Sequence, residues 1–335
     1  MALSLEQHTI NRMNNTLAMA KPLGLRQLVD DTVTTNNGKM PDHFFPLDAL
    51  KTHYEDFFAA AEACDHMTYF MATHVYQAWS WQYSRYTVVI DPRIHAEVLT
   101  TKPDPVFHGE VLRRLPEWTI RFAAVYESET DPDKPPIGVD MLVSRAWLDA
   151  DNKDAVIITL TTQHGRSVDD ITYRTYVLDL DKPTLLEAVQ SLPEWNTDPQ
   201  DGSPFEPEQL KVLERFMPCL MFVCSEFPLQ PKSQGHIHHH NVKIKKKGKV
   251  WVVQATNKPL THVAGQGIAR LLYEDADYVA NLEANIGVNR TPDCMPEVRA
   301  EFIGEWDDPD AEDPTFHYDW MPPVFDEKNK EENPS

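Results

Sequence analysis

The densest concentration of metal-binding side chains in this sequence is His236, His238, His239 and His240. A His-x-His pair on a strand points both imidazoles to one face, an arrangement that zinc accepts. No cysteine or carboxylate lies at the usual short spacing. Four lysines, Lys243, Lys245, Lys246 and Lys247, follow at once and oppose a cation. The pattern therefore predicts a polar segment that gains charge below pH ~6.5, the ordinary histidine value, rather than a metal centre.

Other catalytic chemistries fail on spacing. A zinc deaminase needs H-x-E followed by P-C-x-x-C, because one His and two Cys hold the metal while Glu moves protons. The chain has His95-Ala96-Glu97 and Pro218-Cys219, but the next cysteine, Cys224, comes after four intervening residues. On a helix that five-residue step sends the two sulfurs to different faces. Phosphate-cradling loops are missing too: neither GxxxxGK[ST] nor GxGxxG occurs, and the whole chain has only 12 glycines. There is no GxSxG nucleophile elbow. Asp169-Asp170 and Asp307-Asp308 are acidic pairs of the kind found in solvated turns, in a chain with 52 acidic residues. The residues point to a protein that is not an enzyme and carries no cofactor.

Binding chemistry is better represented. Lys243, Lys245, Lys247 and Lys249 alternate, so on a strand they share one side and offer a contact for RNA or a ribosome. The plain alternative is a solvated edge that blocks aggregation. Eight tryptophans are many for this length, and most must be core. Indoles on a surface groove anchor peptides. Glu117-Trp118 and Glu305-Trp306 each set an acid beside an indole, which suits a peptide carrying Lys or Arg. With Trp79 they are the candidate peptide-binding residues.

The elements that must position these groups follow from periodicity. The N-terminal third reads as helix, with Leu47, Leu50, Tyr54, Phe57, Phe58 and Ala61 on one face. Met67, Met71, Val75, Ala78 and Trp79 line the next helix. Tyr86–Ile90 reads as a short strand, and Asp91-Pro92 as a helix start with Asp as cap. The middle changes period: Trp118–Tyr126, Val139–Trp147, Ala155–Thr162 and Tyr173–Leu178 are rich in β-branched and aromatic residues and predict an antiparallel meander. Helices return at Pro183–Leu192 and Glu208–Cys224, with Pro218 inside the second. Leu229–Lys249, with four histidines and six lysines, reads as an exposed basic loop. A strand at Val250–Val253, a helix at Ala269–Leu282 and two strands near Val298–Ile303 and Phe316–Trp320 complete the pattern. The expected class is α+β: a helical N-terminal part packed with a mainly antiparallel sheet and further helices. The expected divisions are 1–114, 115–325 and a polar tail at 326–335.

Bulk properties narrow the function. Of the 335 residues, 41 % are apolar, and 31 basic residues face 52 acidic ones for a formal charge of −21. Such a chain repels a phosphate backbone over most of its surface and suits a basic partner. Cys64, Cys219, Cys224 and Cys294 form no CxxC and read as buried reduced thiols. Met1–Leu25 lacks a basic start followed by an apolar run, and Phe216–Cys224 is far shorter than the ~20 residues that cross a bilayer. A cytoplasmic protein with no membrane partner is expected.

Several short segments share an order that is informative. His8-Thr9-Ile10-Asn11-Arg12-Met13-Asn14 opens the chain. His43–Pro46 (HFFP), Ala78-Trp79, Leu115-Pro116-Glu117-Trp118, the Pro-containing apolar helix Pro218–Cys224, and Trp320–Phe325 (WMPPVF) follow. In this order, from Gln7 to about Phe325, the chain resembles the second family of type V-A anti-CRISPR proteins. Phages and plasmids make these to silence a bacterial RNA-guided nuclease. The resemblance implies a non-enzymatic inhibitor that recognises a segment of the type V-A effector polypeptide, as a nascent chain, in the bacterial cytoplasm. It also implies loss of the effector messenger during translation, with ribosome or messenger engaged indirectly. One departure stands out. The family is rich in Arg and His before the closing strands, whereas Thr291–Glu305 keeps Pro296 and Arg299 but is largely acidic or neutral. Lys243–Lys249 is the segment that can substitute.

Two readings of other classes stand beside this one. One is a metal-dependent nuclease acting on effector messenger through His236, His238 and His240. The other is an acidic decoy that fills a basic nucleic-acid channel of the effector.

Overall fold

The computed structural model describes residues 5–20, 25–35, 37–38, 45–52, 65–101, 109–126, 137–148, 153–163, 171–198, 201–225, 243–254, 259–274, 300–307 and 315–322. Its centre is a six-stranded sheet in the order β5-β4-β3-β2-β1-β8. Strands β2 (Thr119–Tyr126), β3 (Ile137–Leu148), β4 (Lys153–Gln163) and β5 (Ile171–Asp179) form the antiparallel meander that the β-branched runs predict. The protein is α+β, but the sheet is mixed. β1 (Tyr86–Ile90) runs parallel to β2 on one side and to β8 (Leu260–Ala264) on the other. The register sets Val88 between Phe122 and His262. β8 has only five residues, and its polar Thr261 and His262 hide it from a periodicity reading.

The two faces of the sheet differ in chemistry. One is aliphatic and aromatic: Ile120, Phe122, Val139, Met141, Val143, Val156, Ile158, Leu160, Tyr176 and Leu178 are all buried in one core cluster. Helix α7 (Pro207–Ser225) covers it with Leu213, Phe216, Leu220 and Phe222. Burying side chains of this size is worth about 1.5–3 kcal/mol each, which makes this face the main source of stability. Pro218 lies inside α7 and deprives the carbonyl of residue Glu214 of its donor; Glu214 is exposed, so water can take that place. Cys219 and Cys224 are free and fully buried here, and burial pushes both thiols up, Cys224 to about 12. Cys64 and Cys294 lie outside the described residues.

The other face is covered by α1 (Leu5–Ala20), α2 (Leu25–Thr35), α3 (residues 47–52) and α4 (Asp65–Ser84). Residues 66–84 contain no Asp, Glu, Lys or Arg, and α4 is accordingly buried nearly all round. Among the described residues, no helix is long and apolar enough to cross a membrane.

Three local expectations are corrected. Helix α5 (His95–Thr100) begins after Ile94, not at Pro92. Asp91 does not cap it: its Oδ1 accepts the Arg93 backbone N–H at 3.0 Å, and its carboxylate clasps the Arg93 side chain at 2.8–2.9 Å, holding a turn before the helix. The basic segment is not all loop: β6 (Lys243–Lys247) pairs with β7 (Val250–Gln254) as a hairpin. Gly248 supplies the positive φ of 64° that its two-residue turn requires. Helix α8 spans Gln266–Glu274, starting three residues before the expected Ala269. α6 (Leu185–Gln190) lies inside the expected Pro183–Leu192 span, and Thr184 caps it by accepting the Glu187 N–H. The closing strands are β9 (Glu301–Asp307) and β10 (Thr315–Met321), antiparallel to each other. The tail at 326–335 lies outside the described residues.

Gly265 joins β8 to α8 at φ 78°, and a Cβ there would run into Ile94 Cδ1 and the Phe222 ring. Gly265→Ala is therefore expected to lower unfolding free energy by about 2 kcal/mol or more, from left-handed backbone strain and overpacking together. Denaturant titration of the variant beside the parent measures this.

Candidate functional site

The opening segment HTINRMN lies on α1. Thr9 and Met13 turn inward, and Met13 packs with Ala78, Trp81 and Leu142. Under α1 and α4 the sheet presents an unusual set of buried groups: Thr119 and Arg121 on β2, Asp140 and Ser144 on β3, Thr159 and Thr161 on β4, Thr175 on β5. Buried polar groups cost free energy unless each is hydrogen-bonded, so α4 must answer them side chain by side chain.

Along a seam it does so for Thr119 and Thr159, which pass the bonding on to Ser144 and Thr175. Ser80 Oγ meets Thr119 Oγ1, which lies 2.6 Å from Ser144 Oγ. Ser84 Oγ donates to the Thr119 carbonyl at 2.9 Å. Gln77 Nε2 donates to the carbonyls of Leu142 and Ile157, both at 3.2 Å, and its Oε1 accepts from Thr159 at 2.6 Å. Thr159 in turn contacts Thr175 at 2.7 Å. Tyr76 completes the set by donating to the Arg145 carbonyl at 2.7 Å.

Beyond this seam sits a buried ion pair. Arg121 binds Asp140 through Nε at 2.9–3.0 Å and Nη2 at 2.8 Å, and reaches Glu6 on α1 through Nη1 at 2.6 Å. Burial opposes the Arg121 charge, but Asp140 and Glu6 outweigh it and hold the guanidinium above its ordinary value. Burial pushes the Asp140 carboxyl up, while Arg121 and the adjacent Thr9 hydroxyl favour its charged form.

At the outer end of the same face, Arg12 lies over the Tyr173 ring, 5.2 Å from its centroid. His74 packs edge-on to Tyr173 at 6.1 Å and against Phe70 at 4.1 Å. His74 Nδ1 is 2.8 Å from the Phe70 carbonyl, which can only accept, so Nδ1 carries the proton and Nε2 is a bare lone pair. Burial, with Arg12 close by, holds the imidazole down at about 3. Burial likewise lowers the Arg12 guanidinium to about 10. Nothing in composition flags this cluster. Its signal in the sequence is the break in aliphatic alternation at Arg121, Asp140 and Thr161.

The residues expected to bind a peptide fall elsewhere. Trp118 and Glu117 are fully buried, so they are part of the interior and not the wall of a groove. The chain turns into β2 at this point, and the indole fills the core between the sheet and the N-terminal helices. Trp79 is half-buried against the same cluster, 6.2 Å from Tyr83. Glu305 and Trp306 lie on β9 opposite His317 and Phe316. Their side chains are outside the described residues. Of the lysines, Lys245 and Lys247 alternate along β6 and are exposed, whereas Lys249 sits in the turn. The side chain of Lys243 is outside the description. Lys246 places its ammonium over Trp251 at 5.2 Å. The hairpin is fixed through β7, because Trp251 N donates to Thr34 Oγ1 at 3.1 Å and Val253 N to Asp30 at 3.2 Å. Gly38 lets α2 end against the Trp251 indole, where any Cβ would clash. His236, His238, His239 and His240 lie outside the described residues. Among the described residues, no three His, Cys, Asp or Glu side chains are grouped to hold a metal.

Comparison with solved structures shows a likeness in fold. A crystal structure of AcrVA2 superposes with a TM-score of 0.56 at 16 % sequence identity, over 97 % of this chain and 99 % of that one. No protein-family model matches the chain, and no curated protein sequence matches it significantly.

Two outcomes are expected. Trp118→Ala should destabilise the fold by about 3–5 kcal/mol in denaturant titration, because it empties a fully enclosed indole site. His74 is neutral in the fold but free to protonate near its ordinary value when unfolded. Stability it contributes is complete above pH ~6.5 and is lost at about 1.4 kcal/mol per unit as pH falls toward its folded value. Unfolding free energies at pH 6.5 and 5.5 should therefore diverge less in His74→Leu than in the parent.

Proposed function

We propose that this chain is a type V-A anti-CRISPR protein that acts by binding a polypeptide segment of the CRISPR effector nuclease, without chemistry of its own. The supporting observation is the shared fold with AcrVA2 along nearly the full length of both chains. The segments that carry the sequence resemblance add to it, because they are the ones that build this fold. Thr9, Phe45, Ala78, Leu115 and Trp118 are no more than 1 % exposed, and Met13 is 2 % exposed. Trp320 donates its indole N–H to Thr101 Oγ1 at 2.9 Å and packs edge-on to Phe222 at 5.3 Å. The resemblance is thus carried by packing positions, and partner choice belongs to the surface between them.

The rest of the reading concerns mechanism. Recognition takes place while the effector is being translated in the bacterial cytoplasm and leads to loss of its messenger. Lys245, Lys247 and Lys249 give this acidic chain one cationic ribbon with which to meet RNA or a ribosome.

Co-expression with a type V-A effector, with effector protein and messenger both quantified, tests the proposal. Both should fall when the inhibitor is present. Recoding the recognised segment with synonymous codons should preserve silencing, and a frameshift through it should abolish silencing. An unchanged effector level, or silencing lost on synonymous recoding alone, overturns recognition of the polypeptide.

A further inference from the structure

The cluster around Arg12 is incomplete. Arg12 Nε and Nη1, His74 Nε2 and Thr161 Oγ1 are all buried and have no hydrogen-bond partner among the described residues. They gather at one place, because Thr161 is paired with Tyr173 across β4 and β5, and Arg12 and His74 both pack on the Tyr173 ring. Asp140, the carboxylate whose charge acts on Arg12, is already engaged by Arg121 through two nitrogens. Arg12 is thus a half-buried cation with two enclosed nitrogens that no carboxylate among the described residues bonds, in a protein whose net charge is −21. Unpaired donors of this kind are costly, and a carboxylate that reached them would form charge-assisted bonds.

The neighbouring backbone is open as well. β5 is one of the two edge strands of the sheet. Asn196 clasps both the N–H and the C=O of Val177, so Val177 faces away from β4. The unbroken register gives Tyr173 the same outward direction. No partner among the described residues bonds those Tyr173 backbone groups, and Tyr173 is 48 % exposed. Asn196 closes the edge at Val177 and leaves it open at Tyr173. A strand added here would project the residue opposite Tyr173 to the same face as the Tyr173 side chain, over Arg12.

We propose that Arg12, beneath Tyr173, binds the carboxylate of an Asp or Glu in an extended polypeptide segment that pairs with the edge of β5 at Tyr173. The inference rests on the polypeptide-recognition reading for its biological partner, but the site can be tested without the effector. The probe is the blocked pentapeptide Ac-Thr-Val-Glu-Val-Thr-NH2, beside its Glu→Gln counterpart, with binding followed by NMR of 15N-labelled protein. The acidic peptide should shift the Arg12 Nε and Tyr173 amide signals, and the Gln peptide should bind about tenfold more weakly. Arg12→Met should erase that preference without lowering the melting temperature, because it removes two buried nitrogens that have no hydrogen-bond partner among the described residues. Arg12→Lys, which keeps the charge but loses the fork of donors, should fall between. Equal binding of the two peptides, no binding, or a preference that survives Arg12→Met overturns the site. Overlapping peptides of the effector separate the two proposals. Effector peptides that bind equally to parent and Arg12→Met leave polypeptide recognition standing and sink this site. Binding of the acidic pentapeptide with no effector peptide bound keeps the site and sinks the effector as its partner.

Discussion

Arg121 imposes the strictest condition on this molecule. A guanidinium on the third residue of β2 lies inside the protein, and a fully buried charge without a partner costs on the order of several kcal/mol. Asp140 on β3 answers it through Nε and Nη2, in a diagonal position across the ladder, and Glu6 brings α1 to the remaining nitrogen, Nη1. Such a pair adds little net stability over an apolar replacement, but leaving either member alone is destabilising by about 3–5 kcal/mol. Its effect is on geometry: the N-terminal helix cannot slide along the sheet without stranding a charge.

The seam beside it extends the same logic. An aliphatic helix–sheet contact tolerates small shifts, whereas Gln77 must meet two carbonyls and a threonine at once. Ser80 and Ser84 each serve the same strand end at Thr119. The protein therefore divides its labour. The α7 face of the sheet supplies burial, and the α1–α4 face supplies a single allowed register. Around Tyr173, by contrast, Arg12, His74 and Thr161 each keep a buried polar atom without a partner among the described residues.

How much of this could be read from the residues depends on which force sets each element. The meander was legible because β-branched runs between turn formers describe strands whatever their neighbours. α4 was legible as a helix, and its uncharged length matched its near-complete burial. β8 was not, because a five-residue strand with Thr261 and His262 takes its identity from the parallel partner alone. Asp91 looked like a helix cap until Arg93 claimed its carboxylate. Trp118 was misjudged for a different reason: an acid next to an indole reads the same in a groove or in a core, and only the third dimension separates the two. Arg12, His74 and Tyr173 come from three distant parts of the chain, so no spacing rule joins them.

The placement of β1 between two parallel neighbours bears on how the chain can be made. Residues 86–90 leave the synthetic machinery early, and β2 follows within about thirty residues, but β8 is contributed by residues 260–264. Until then the far edge of β1 has no strand beside it, and the long-range pairing that closes the sheet comes late. Chains grow at about 5–20 residues per second, so an unfilled sheet edge persists for roughly ten seconds or more before β8 arrives. A truncated product ending before residue 260 would keep that edge bare and be drawn toward aggregation or degradation, so the full-length fold is secured only by one of its shortest strands.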